Sequence, residues 1–202
     1  MEEQSFLLEL PVGKLMKKYA IPCIISLLVA ALYNIVDQIF IGWGVGAAGN
    51  SATNIVFPLT VLALAVATMI GDAACSFVSI RLGCGDEESA NRATGNAIVL
   101  TLLSGLVLML VFLAFSAQIL WMFGANDKMD AATRRYAADY FFWIAVGIPV
   151  YMFGQAMNPI IRSDGAPRLA MIATVSGAVA NVILDPIAIF VLHWGVMGAA
   201  IA

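Results

Sequence analysis

Five apolar stretches, residues 19–41, 52–80, 93–115, 138–161 and 169–192, are each long enough to cross a bilayer, which takes about 20 mostly apolar residues in a helix. The runs are continuous instead of alternating, so they form membrane helices and not a β-barrel; in lipid every backbone N–H must be satisfied within its own segment. A sixth segment begins at Gly195 and the sequence ends at Ala202, so the chain reads as a piece of a longer protein. The connections 42–51, 81–92, 116–137 and 162–168 are short and polar and leave no room for a soluble module. The expected fold is an all-α, polytopic transmembrane helix bundle.

Only 11% of the 202 residues are charged, whereas a soluble domain carries roughly a quarter. The net charge is -3 and no cluster of Lys and Arg occurs, which excludes a nucleic-acid partner. Cys23, Cys75 and Cys84 lack metal or disulfide spacing, and Cys23 and Cys75 read as helix-packing residues. Glu2, Glu3 and Glu9 precede Lys14, Lys17 and Lys18, the reverse of a secretory leader, so the first span is expected to be retained. Residues 7–18 read equally as an amphipathic surface helix or as a lead-in to that span.

Basic residues stay on the cytoplasmic side. With the N-terminus inside, Lys14, Lys17, Lys18, Arg81, Arg92, Arg162 and Arg168 are cytoplasmic, against Lys128, Arg134 and Arg135 outside. This majority predicts a cytoplasmic N-terminus.

Ionisable groups within the spans carry the functional signal, because an acid in hydrocarbon costs about 2.5 to 3.5 kcal/mol and normally faces a cavity or a partner. Asp37, Asp72 and Asp185 are the candidates. Asn34, Asp37 and Gln38 share one face of the first span, and Tyr33 stands four residues before Asp37. Asn181 and Asp185 repeat the four-residue spacing in the fifth. Counted from the cytoplasmic ends, Asp37 lies ~27 Å beyond Tyr19 and Asp185 ~26 Å beyond Arg168, which puts both in one layer. Two carboxylates and two amide oxygens at one level suit a sodium ion or a proton; the competing reading is interhelical hydrogen bonding, at about 0.6 kcal/mol per contact. Asp72, nearer the cytoplasmic end, reads also as an interfacial residue.

Pro22 denies an N–H to the Lys18 carbonyl, and Pro186 denies one to that of Val182, so the first and fifth spans are expected to bend. Phe40, Phe57, Met69, Met152 and Met157 read first as packing or lipid-facing residues and second as an adaptable apolar wall.

Ala20-Ile21-Pro22 followed by Leu32-Tyr33-Asn34-Ile35-Val36-Asp37-Gln38-Ile39-Phe40-Ile41-Gly42 resembles the first helix of multidrug and toxic compound extrusion (MATE) transporters, particularly the DNA-damage-inducible and staphylococcal multidrug exporters. Leu82-Gly83-Cys84-Gly85-Asp86, Arg162-Ser163-Asp164-Gly165-Ala166-Pro167 and Asn181 to Asp185 are similar to the same family. The resemblance implies twelve helices in two six-helix lobes, of which this chain supplies the N-terminal lobe, truncated early in helix 6. It implies antiport of sodium ions or protons against organic cations and amphipathic drugs across the bacterial plasma membrane. Asp37, Asn181 and Asp185 would bind the coupling cation, Pro22 would mark the bend in helix 1, and no further cofactor is expected. The partners implied are the drug, the cation, membrane lipid and the C-terminal lobe.

Two alternatives stand beside this reading. A flippase for lipid-linked pyrophosphates would place Arg or Lys inside its cavity, yet all ten basic residues fall outside the spans. An intramembrane aspartyl protease needs paired acids and a Gly-x-Gly-Asp motif, and Met69-Ile70-Gly71-Asp72 lacks the first glycine.

Overall fold

The computed structural model describes residues 11–126 and 129–201, with Leu15 described by its backbone alone. All regular structure among them is helical: α1 (Val12–Gly44), α2 (Ala47–Gly83), α3 (Glu87–Ala114), α4 (Ser116–Met122), α5 (Ala131–Ser163), α6 (Pro167–Pro186) and α7 (Gly195–Ile201). A π-helical turn, Ile187–Val191, continues α6. Five helices are long and apolar enough to cross a membrane: α1, α2, α3, α5, and α6 with its π turn. Glu2, Glu3, Glu9, Lys128, Ala202 and the lead-in before residue 11 lie outside the described residues.

The helices overrun the apolar stretches that announced them. α2 extends to 47 and 83 instead of 52 and 80, and α5 begins at Ala131 instead of 138. Hydropathy marks the part of a helix that sits in lipid, whereas the backbone ladder continues into water wherever a cap sustains it. Asp130 supplies such a cap, accepting from the Thr133 N–H at 3.3 Å, and Asp86 does the same for Ser89 at 3.1 Å. The expected connection 116–137 is therefore partly helical, containing α4 and the first turns of α5. Residues 12–18 likewise form the opening turns of α1, a lead-in continuous with the span.

The two turns expected on the cytoplasmic side share one construction. Gly85 and Gly165 take φ of +76° and +86°, which an L side chain rarely adopts, and the next N–H returns to a carbonyl five residues back: Asp86 to Arg81 and Ala166 to Ile161. This reversal is the physical content of the LGCGD and RSDGAP motifs.

The packed core lies among α2, α3 and α5, where Val56, Leu59, Phe112, Phe141, Ile148 and Met152 are buried. Met152 is thus a core residue, in agreement with its first reading as a packing residue and not with the second as part of an adaptable wall. Helices in lipid gain little from apolar burial and associate where small residues admit close approach. At Gly71 an added Cβ would stand 2.7 Å from the Ala156 carbonyl oxygen, and at Gly105 it would stand 2.8 Å from the Pro149 Cα. α1 belongs to a second group: it packs chiefly on α6, and α6 in turn rests on α5.

Gly71→Ala and Gly105→Ala are each expected to destabilise the protein by about 1–3 kcal/mol, because backbone must move to admit a methyl group. Gly95→Ala, on an open face of α3 with nothing within 4 Å, is expected to leave the thermal midpoint in detergent unchanged or slightly raised. Equal midpoints for all three variants would contradict this account of the core.

Candidate cation site between the first and fifth spans

The packing of α1 on α6 brings Tyr33 and Asp37 of one helix to Asp185 of the other, with Asn181 bonded to Asp185, while Gln38 bonds to Asp37 and to Thr53 of α2. The carboxylates of Asp37 and Asp185 lie within hydrogen-bonding reach of each other, although 148 residues separate them in sequence. Asp185 is fully buried and Asp37 partly so. Two amides brace the pair. Gln38 Nε2 donates to Asp37 Oδ2 at 3.4 Å, and Asn181 Nδ2 donates to Asp185 Oδ1 at 3.3 Å. Thr53 of α2 extends the chain, its hydroxyl donating to Gln38 Oε1 at 3.3 Å.

The remaining oxygens define the chemistry. Asp37 Oδ1, Asn181 Oδ1 and Asp185 Oδ2 are buried and accept no hydrogen bond, a costly state for each of them. All three belong to one connected cluster. The ion pairs given by the described residues are Arg81–Asp86, Arg92–Glu88 and Arg135–Asp139, near helix ends, and none neutralises the acids. Touching carboxylates cannot both carry charge without a proton or a cation between them. A hard monovalent cation coordinated by carboxylate and amide oxygens, or a proton shared by the pair, satisfies this set.

Tyr33 adjoins the cluster, within electrostatic reach of both acids. Asn34 does not join it: the residue is exposed, and its amide donates to the Ala30 carbonyl at 2.7 Å. It lines, with Gln38 and Asn50, an open concavity of about 740 Å³ along α1. Pro22 lies ~22 Å from Asp37 along the helix axis. The helix runs through Pro22 without a break, and its carbonyl accepts from the buried Ser26 hydroxyl at 2.9 Å. Asp72 stands apart from the cluster, exposed on α2. Pro186 ends the regular α-helix directly after Asp185, and the backbone continues as a wider turn instead of a simple kink. One turn beyond the acids Phe40 meets Phe190 edge-to-face at 6.3 Å, and nearby Gly44 abuts Ile189, an apolar closure on that side.

Sequence reasoning missed Tyr140. This α5 residue lies within electrostatic reach of Asp37, Asp185 and Tyr33, giving the site a third helix. Tyr136 and Tyr140, four apart at the start of the fourth span, were the available signal, but no spacing rule links them to acids on other helices.

Comparisons with known proteins agree with this architecture. Multidrug export protein MepA of Staphylococcus aureus (strain MSSA476) is 29% identical over 201 residues, which cover 99% of this chain and 44% of the relative. Its counterpart in Staphylococcus haemolyticus (strain JCSC1435) is 28% identical over the same length. The chain thus spans less than half of the relatives it matches. Among solved structures, a ligand complex of the MATE multidrug transporter DinF-BH superposes with a TM-score of 0.86 at 37% identity, covering 93% of this chain and 41% of that one. A MATE transporter in the straight conformation gives 0.84 at 28%, covering 92% and 40%. The family model MatE matches residues 22–187, most of the described fold and all of the acid cluster, so the chain belongs to the MATE family of multidrug efflux transporters.

Proposed function

We propose that this chain is the N-terminal lobe of a secondary active exporter, in which Asp37, Asn181 and Asp185 bind the coupling sodium ion or proton. The observation that carries the reading is the contact between two acids from different helices, one fully and one partly buried, with one oxygen of each and that of Asn181 left without a protein donor. The membrane is the plasma membrane, with the N-terminus in the cytoplasm, as the distribution of basic residues favours. The substrates are organic cations and other amphipathic drugs; the likeness to multidrug export proteins and to a multidrug transporter supports that class.

The chemistry of coupling follows from the charge state of the pair. Without a cation the carboxylates repel, and α1 and α6 are driven apart at that level; with a proton or sodium ion between them the two helices are held together. A ligand shifts a conformational equilibrium only through its differential affinity for the two states. The cation therefore favours the arrangement in which Asp37 and Asp185 touch, and drug binding favours the other. α1 is suited to carry the change: it packs mainly on α6 and contains Pro22 between its cytoplasmic end and the acid.

In the full-length protein that contains this segment, Asp37→Asn and Asp185→Asn are each expected to reduce cation-driven drug export by about tenfold or more, with expression and melting in detergent retained. Export at the unsubstituted rate in both variants would remove the coupling role. For the topology, the exposed Cys84 in the turn between α2 and α3 is expected to react in intact cells with a membrane-permeant thiol reagent and not with an impermeant one. Labelling by the impermeant reagent would invert the orientation.

A further inference from the structure

Gln38 links the acid pair to a helix that takes no direct part in it. Asp37 and Gln38 are neighbours on α1, about 100° apart around its axis, so the carboxylate meets Asp185 of α6 while the amide reaches Thr53 of α2. The two ends of that amide have opposite bonding capacities. Oε1 accepts from the Thr53 hydroxyl at 3.3 Å, which leaves the donor end, Nε2, for Asp37 Oδ2 at 3.4 Å. With Oδ2 engaged, Oδ1 is the Asp37 oxygen without a protein donor. Thr53 is buried, and its hydroxyl also lies 3.0 Å from the Asn50 carbonyl of its own helix, so it keeps a partner if Gln38 withdraws. One turn further along α1, a Cβ added at Gly42 would stand 3.0 Å from Asn50 Nδ2, so the two helices are in close contact at that level as well. Both contacts lie inside the chain and are independent of whatever packs against its outer faces.

We propose that Thr53 is a positioning residue for the coupling site: by fixing the orientation of the Gln38 amide it keeps a hydrogen-bond donor on Asp37, and that donor weakens the hold of the acid on the coupling cation. A donor on a carboxylate oxygen satisfies part of its charge and so competes with a proton or sodium ion for the same group. Without the Thr53 hydroxyl the amide is free to turn end for end and set Oε1, a second acceptor, against the carboxylate, which a cation would then bridge more readily. The link also ties α1 to the block formed by α2, α3 and α5. It can be broken at small cost, because Thr53 falls back on Asn50, as a tether on a helix that changes position requires. The inference rests on the coupling role proposed for Asp37 and adds to it a residue of α2.

The test uses the purified full-length protein that contains this segment, given sodium steps at fixed pH and pH steps without sodium, with the carboxyl bands followed by infrared difference spectroscopy. Thr53→Val keeps the shape of the side chain and removes its hydroxyl. It is expected to lower the cation concentration at half the spectral change by about fivefold, the effect of about one hydrogen bond, whereas general damage to the site would raise that concentration. Thr53→Ser is expected to restore it. Gln38→Met is expected to shift the half-point in the same direction, and the double variant Gln38→Met/Thr53→Val no further than Gln38→Met alone, because both residues act through one amide. A half-point in Thr53→Val that is unchanged or raised, or shifts that add in the double variant, would overturn the proposal. Asp37→Asn separates it from the reading on which it rests. A spectral response that survives in Asp37→Asn removes the coupling role itself, whereas a response lost there but unshifted in Thr53→Val overturns the role of Thr53 alone.

Discussion

Two carboxylates from the first and fifth spans meet at one level, one fully and one partly buried, and much of the surrounding structure can be understood as the means of holding them there. An unpaired acid in the membrane is expensive, and a second acid beside it raises that cost unless a cation or proton lies between them. Gln38 and Asn181 each give one hydrogen bond to an acid and leave other oxygens unsatisfied. A purely structural polar cluster would be expected to close its hydrogen bonds, since half-satisfied networks are worse than apolar packing. These oxygens have no donor among the described protein groups, as is also true of Asn50 Oδ1 on α2, and the proposed cation or proton would satisfy those of the cluster.

The scaffold separates rigidity from movement. α2, α3 and α5 meet at glycines where backbone approaches backbone, so their relative positions tolerate little change. α1 lies outside that block, against α6, and α6 passes into a π turn immediately after Pro186. Wide turns of this kind are frequent at functional sites, because they release carbonyls and loosen the helix locally. The acids thus sit on the two helices least constrained by the core, and Tyr140 reaches them from the constrained side.

Much of this was legible in the residues. Continuous apolar runs fixed the number and order of the spans, and the three- and four-residue spacings of Tyr33, Asp37 and Gln38, and of Asn181 and Asp185, anticipated which side chains would face one another. Depth measured along each helix was sufficient to put Asp37 and Asp185 in one layer, because helical rise is nearly invariant. Helix ends were not legible from hydropathy, since caps at Asp86 and Asp130 act in water beyond the apolar segment. Asn34 shows the limit of facial arguments: it shares a helix face with Asp37, yet its amide bonds to the Ala30 carbonyl and turns away. Tyr140 and the π turn depend on contacts between distant segments, for which one sequence holds no periodic signal. The pairing of two acids also fulfils one requirement of the aspartyl protease alternative; family membership is what separates the readings, because paired carboxylates serve both chemistries.

The claim that the pair takes up a proton or a cation is tested most directly by infrared difference spectroscopy on the purified full-length protein. A step in pH or in sodium concentration is expected to change the carboxyl and carboxylate stretching bands, and those changes should vanish in Asp37→Asn and in Asp185→Asn. Difference spectra identical in the unsubstituted protein and both variants would mean that neither acid changes state, and the account would fail.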